Sequence, residues 1–164
     1  MWLIGMMGSG KSTVGALAAQ ALGVEFYDTD RIVCERTGLS IPEIWERLGE
    51  RAFRDLECEA VTSVPGGSLA AAGGGAVLEA ANREIMASSP PVIWLRTSPE
   101  TTAARIGDAG GRPLLDSSGD SADRLTEILS ERASLYQRLA THVVDTDELT
   151  AEQVSDEVVS ICRS

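Results

Sequence analysis

Apolar positions along the chain switch period several times. Trp2-Leu3-Ile4 is an unbroken apolar run closed by Gly5, the pattern of a short buried strand. Val14, Leu17, Ala18 and Leu22 then recur at helical spacing, and Gly23 stops that helix. Val24-Glu25-Phe26-Tyr27 reads as a second strand ending at Asp28-Thr29-Asp30. Ser40-Ile41-Pro42-Glu43 has the spacing of a capping box and opens a short helix through Leu48. Gly49 breaks it, and a further helix carries Phe53, Leu56 and Ala60. Leu69-Ala70-Ala71-Ala72 is the third strand, ended by Gly73-Gly74-Gly75, and residues 79–87 read as helix. Val92-Ile93-Trp94-Leu95 is a strand, and Ser98-Pro99-Glu100 caps the helix after it. Residues 107–121 form a Gly-, Asp- and Ser-rich loop, long enough for a lid rather than a connector. A long amphipathic helix follows over about 122–140, then a last strand at His142-Val143-Val144 and a final helix capped by Thr150-Ala151-Glu152-Gln153. Strand and helix alternate throughout, which predicts an α/β fold: a parallel sheet with helices on both faces.

The 164 residues suit one domain with a core of its own. Fourteen basic against 25 acidic residues leave a net charge of −11, which argues against nucleic acid and against an anionic membrane as partners. The longest uncharged run, Ala60 to Leu78, holds Pro65 and five glycines and reads as loop, strand and loop, not a membrane span. The first residues lack a basic leader, so a cytoplasmic protein is expected. Cys34, Cys58 and Cys162 are too scattered for a disulfide framework or a zinc site.

Of the 14 cations, 13 are arginine and the single lysine is Lys11. It lies in Gly5-Met6-Met7-Gly8-Ser9-Gly10-Lys11-Ser12-Thr13, which fits G-x-x-x-x-G-K-[ST] between a predicted strand and a predicted helix. Backbone N–H groups of such a loop cradle phosphates, the lysine reaches the terminal phosphates, and the serine hydroxyl ligates Mg²⁺. A GTPase would read guanine with Asn-Lys-x-Asp, and no second lysine exists to build it. What remains is mostly small-molecule kinases, in which Mg-ATP passes its γ-phosphoryl group to a bound acceptor.

The usual metal-holding aspartate at the end of a third strand is replaced here by Gly73-Gly74-Gly75. The acidic pair at the carboxyl edge of the sheet is instead Asp28 and Asp30. One carboxylate can face the metal while the other takes the acceptor hydroxyl and its proton; the plainer role is to cap the following helix. The glycine triplet is either a turn or a platform against which a ligand can lie. On the long helix, Leu125, Leu129, Tyr136 and Leu139 make an apolar stripe, and Arg132 falls on it. A guanidinium facing inward needs a carboxylate or phosphate, from a ligand or from an internal acid, unless it snorkels to solvent. Arg54 beside Phe53 is either a ligand arginine or a surface partner of Glu50 or Glu57, and Arg112 in the Gly-rich loop either closes over phosphates or is solvated. Together these residues point to a small anionic acceptor carrying a carboxylate and hydroxyls.

In this order the motifs resemble shikimate kinase, a family of small P-loop kinases related in fold to nucleoside monophosphate kinases. Besides the phosphate loop and Asp28-Thr29-Asp30, the resemblance rests on Gly49-Glu50-Arg51-Ala52-Phe53-Arg54-Asp55-Leu56-Glu57 and Gly73-Gly74-Gly75-Ala76. It continues through Arg112-Pro113-Leu114-Leu115 and Glu131-Arg132-x-x-x-Tyr136. It implies a three-layer P-loop kinase: a single domain over 1–164, with a five-stranded parallel sheet in order 2-3-1-4-5, a substrate-binding insertion over about 29–61 and a lid over about 107–118. The implied activity is ATP-dependent phosphorylation of the shikimate 3-hydroxyl, in chorismate and aromatic amino-acid biosynthesis, by a monomer. By position, Gly8, Ser9, Gly10, Lys11, Ser12 and Thr13 would bind ATP, and Ser12 and Asp28 would hold Mg²⁺. Asp30 would bind the acceptor hydroxyls and act as base, Arg54 and Arg132 would clamp the carboxylate, and Gly73, Gly74 and Gly75 would line the acceptor. Lys11 and Arg112 would stabilise the transferring charge. Trp45 departs from the family's usual phenylalanine at the acceptor pocket, where a larger ring trims the pocket or repacks it. Around Asp147-Glu148-Leu149 the chain lacks the arginine often found over adenine. Two other readings stay open: a kinase for another small hydroxy acid such as gluconate, and a nucleotide-binding regulator without transferase activity. The second would be expected to have lost Asp30 or one of the arginines, and none is lost.

Overall fold

A computed structural model of the chain describes residues 1–106 and 121–164. The expected lid and Arg112 lie outside the described residues.

Five strands, β1 (Trp2–Ile4), β2 (Phe26–Asp28), β3 (Leu69–Ala71), β4 (Val92–Arg96) and β5 (His142–Asp145), form one sheet in the order β2-β3-β1-β4-β5. Every neighbouring pair is parallel, with Trp2 in register with both Ala70 and Val92. This is the order implied by the resemblance. The described helices are α1 (Lys11–Leu22), α2 (Thr29–Thr37), α3 (Ile41–Thr62), α4 (Ala80–Ala87), α5 (Pro99–Ile106), α6 (Ser121–Leu139) and α7 (Ala151–Arg163), with a 3₁₀ turn at Ala76–Leu78. No described helix is long and apolar enough to cross a membrane.

The central strands β1 and β3 are apolar at every position because both faces of the sheet are covered there, and alternation assigns each side chain a face. Trp2, Ile4, Val92 and Trp94 pack on one side with Met86 of α4 and with Leu125, Ile128 and Tyr136 of α6. Leu3, Ile93 and Leu95 pack on the other with Val14 and Ala18 of α1 and Val154 and Val158 of α7. A third, smaller core of Val33, Ile44, Phe53 and Ala60 joins α2 to α3, the expected insertion.

Local signals set most boundaries. Both predicted capping boxes form: Ser40 with Glu43, and Thr150 with Gln153. The second strand starts later than expected, at Phe26, because the Val24 N–H turns back to the Ala19 carbonyl and closes α1 around left-handed Gly23. Gly49, at φ 84° and ψ 168°, is non-helical and breaks the segment as expected, so α3 consists of two helical stretches that meet at a kink between Ile41 and Thr62. On α6 the buried positions are Leu125, Ile128, Arg132 and Tyr136, with Leu129 and Leu139 to the side. The expected stripe was therefore rotated slightly, and Arg132 stands at its centre.

Candidate active site

The loop between β1 and α1 is built to hold an anion. Gly8 and Gly10 have φ of 75° and 89°, which glycine adopts without strain. Gly10 caps α1 with no side chain, so the first-turn N–H groups and the positive end of the helix dipole are left for a ligand. Lys11 is buried, and its Nζ donates to the carbonyls of Gly5 and Met6 at 2.9 and 2.7 Å. A cavity of about 350 Å³ opens over this loop, and Gly8, Gly10, Lys11, Ser12, Thr13, Asp28, Asp30 and Gly74 are all in its wall.

Asp28 ends β2 and caps α2 with one carboxylate oxygen while the other faces Ser12. Its Oδ1 accepts from the N–H groups of Asp30 and Arg31 at 3.0 and 3.3 Å, capping α2. Its Oδ2 accepts from the Ser12 hydroxyl, which brings two oxygen ligands together on the cavity wall. Hard oxygen donors beside a phosphate cradle fit Mg²⁺.

Asp30, one residue into α2 from its start, lies against the glycine turn after β3. A Cβ on Gly73 would lie 2.5 Å from Asp30 Oδ1 and 2.6 Å from Glu57 Oε1. A Cβ on Gly75 would lie 2.2 Å from Arg54 Nη1. The triplet is thus a platform for the protein's own side chains: Asp30, Glu57 and Arg54 approach its backbone closer than any Cβ allows. The Gly73 N–H is held by the Thr29 hydroxyl at 2.9 Å, and the Gly74 carbonyl accepts from the Tyr136 hydroxyl at 2.6 Å.

Arg54 of α3 lies against Gly75, and Arg132 of α6 shares with it the neighbours Glu57 and Tyr136. Both are nearly enclosed, at 8% and 4% exposure, so neither snorkels to solvent. Arg54 donates to Glu57 at 2.8 Å and reaches Glu50 at 3.4 Å. Those are the acids of its plainer reading, but the Glu57 pair is interior, not on the surface. Arg132 acts on both Glu57 and Tyr136, and its Nε is buried without an acceptor among the described residues. Burial pushes the Glu57 carboxyl up to about 7, although Arg54 and Arg132 pull it down. Burial likewise pushes the Tyr136 phenol up to about 12, so it stays a donor. An enclosed, cationic and incompletely satisfied corner beside a phosphate cradle can take a small carboxylate.

Three residues were missed in this site. Glu57 was legible only as a helix partner of Arg54, since burial of its carboxylate depends on α6. The Tyr136 phenol was counted as apolar, although a tyrosine facing inward needs an acceptor for its hydroxyl. Arg105, in the last turn of α5, carried no motif. It lines the same cavity and donates to the hydroxyl of Thr146 at 2.9 Å and to its carbonyl.

Comparison with known proteins places the whole chain beside one family. A family model for shikimate kinase matches residues 7–163. The shikimate kinase of Methylococcus capsulatus is 40% identical over 162 residues, 98% of this chain and 90% of its own length. The solved structure of shikimate kinase from Acinetobacter baumannii in complex with shikimate superposes with a TM-score of 0.94 at 32% identity, covering 99% of this chain and 91% of that one. A gluconokinase from Sinorhizobium meliloti, at TM-score 0.61 and 18% identity over 99% of this chain and 90% of that one, shares the fold alone.

Proposed function

The chain belongs to the shikimate kinase family, and we propose that it transfers the γ-phosphoryl group of ATP to the 3-hydroxyl of shikimate, giving shikimate 3-phosphate and ADP. The reaction would serve chorismate and aromatic amino-acid synthesis in the cytoplasm. One observation carries the reading: Arg54 of α3 and Asp30 of α2 lie against the glycine turn that also walls the phosphate cavity, and the enclosed Arg132 of α6 acts on the same Glu57 as Arg54. A carboxylate held by the arginines would place ring hydroxyls toward Asp30 and the cradle.

In this reading Gly8 to Thr13 hold the phosphates, and Lys11 exchanges its contacts with the loop carbonyls for the terminal phosphates. Ser12 and Asp28 hold Mg²⁺, which supplies charge neutralisation on the transferring group. Asp30 accepts a hydrogen bond from the acceptor hydroxyl and takes its proton as the oxygen attacks. Gly73, Gly74 and Gly75 line the acceptor with backbone, and Arg105 adds a cation at the nucleotide side. Arg112 would approach from the lid over 107–118 and stabilise the transferring charge, while the insertion over 29–61 carries the acceptor side. The protein would work as a monomer.

An ADP-release assay with shikimate and with gluconate tests the proposal. Turnover that depends on shikimate is expected. Turnover with gluconate alone would move the acceptor assignment, and none with either would leave an ATP binder.

A further inference from the structure

Arg54 has a second set of neighbours besides its acids. Its Cζ lies 5.7 Å from the centroid of the Trp45 ring and 5.3 Å from that of Phe53, within cation–π range of both. The two rings also touch, with centroids 5.7 Å apart and planes tilted by 43°.

A regular helix would not make this arrangement. Trp45 and Phe53 are eight residues apart, roughly 12 Å along a straight helix axis. The kink at Gly49 folds the first turns of α3 back and brings the indole to the residues beyond it. The kink thereby closes an aromatic corner around one guanidinium.

The indole also carries a burden that a phenyl ring would not. Its Nε1–H is buried and meets no acceptor among the described residues. A buried unpaired donor is destabilising. What the larger ring offers in return is a stronger cation–π face at a site from which water is excluded.

We propose that Trp45 is a positioning residue for the acceptor, acting through Arg54: with Phe53 it holds the guanidinium by cation–π attraction, which uses none of the N–H donors that the incoming carboxylate would take over from Glu57 and Glu50. Carboxylates at Glu57 and Glu50 compete for those N–H donors, whereas aromatic faces hold the cation without using any of them. The aromatic corner therefore keeps Arg54 ordered yet available. This inference rests on the reading of Arg54 as a carboxylate ligand.

The test is the KM for shikimate of Trp45→Leu and Trp45→Phe, each made in the natural chain and in an Arg54→Ala background, where Arg132 still holds the carboxylate. KM does not depend on the fraction of enzyme that is folded. Trp45→Leu should raise it about 3- to 30-fold with Arg54 present, leave kcat and the KM for ATP unchanged, and have less than about a 2-fold effect without Arg54. Trp45→Phe, which keeps a ring face, should restore most of the loss; if the leucine variant does not fold, a rise of about 2-fold in the phenylalanine variant, confined to the Arg54 background, carries the test. An equal rise in both backgrounds would make Trp45 a pocket wall and overturn the inference, as would an unchanged KM in both variants. If the natural chain does not turn over shikimate at all, the proposed function fails and takes this inference with it.

Discussion

The hydroxyl of Tyr136 donates to the carbonyl of Gly74 at 2.6 Å and so ties α6 to the glycine turn after β3. Arg132 stands one turn earlier on the same buried stripe, so the bond that fixes the turn also fixes the helix face that presents the guanidinium. Tyr136→Phe removes the donor and leaves a half-buried carbonyl without it. It should lower stability by about 1–3 kcal/mol, measured by urea unfolding, and raise the KM for shikimate with little change in that for ATP. Unchanged stability would mean that water replaces the phenol.

Gly75→Ala sets a methyl group 2.2 Å from Arg54 Nη1. The guanidinium has to leave the platform, because on the other side the atoms are turn backbone. Overpacking of this kind costs about 1–3 kcal/mol, so shikimate affinity should fall about tenfold or more while nucleotide binding persists. Calorimetric titration with each ligand separates the two, and equal losses would count against a local effect.

Glu57 makes stability depend on pH in a defined direction. Its carboxyl is raised from 4.5 to about 7 in the folded protein, chiefly by burial. Between those values the folded state keeps a proton that the unfolded chain has released. The stability from this group is therefore complete below about pH 4.5 and is lost as pH rises through about 7. Glu57→Gln is neutral throughout, so its stability relative to the natural chain should increase across that window. Urea midpoints at about pH 5 and pH 8 check this; a difference that does not change with pH would show that Glu57 ionises normally.

Asp30→Asn keeps the shape of the side chain but removes its capacity to take a proton. Turnover with shikimate should be lost while nucleotide affinity stays nearly the same, read by steady-state rates and by calorimetry. Retained turnover would refute Asp30 as the base.

Arg132→Ala should act on the acceptor alone. It removes one of two cations from an enclosed corner, where a charged hydrogen bond contributes about 1.5–3 kcal/mol. Shikimate affinity should therefore drop more than tenfold, and unchanged affinity by calorimetry would remove Arg132 from the carboxylate site.

What the chain determined by itself is whatever depends on neighbours in sequence. The phosphate loop, the Ser40 and Thr150 caps and the break at Gly49 are each decided by a few adjacent residues, and each was legible. Alternation of short apolar runs with helical periods was enough to predict a parallel α/β sheet, and the motif order was enough to recognise the family. The tertiary structure alone decided which charges are enclosed. Arg54 and Glu57 look like an ordinary surface pair three residues apart until α6 and the glycine turn close over them and remove the water. Arg105 becomes part of the site only when its guanidinium meets Thr146, just beyond β5, and Trp45 reaches Arg54 only because α3 bends. Burial, and with it the strength of every charge in the site, is a property of segments brought together from far along the chain; no local pattern of residues encodes it.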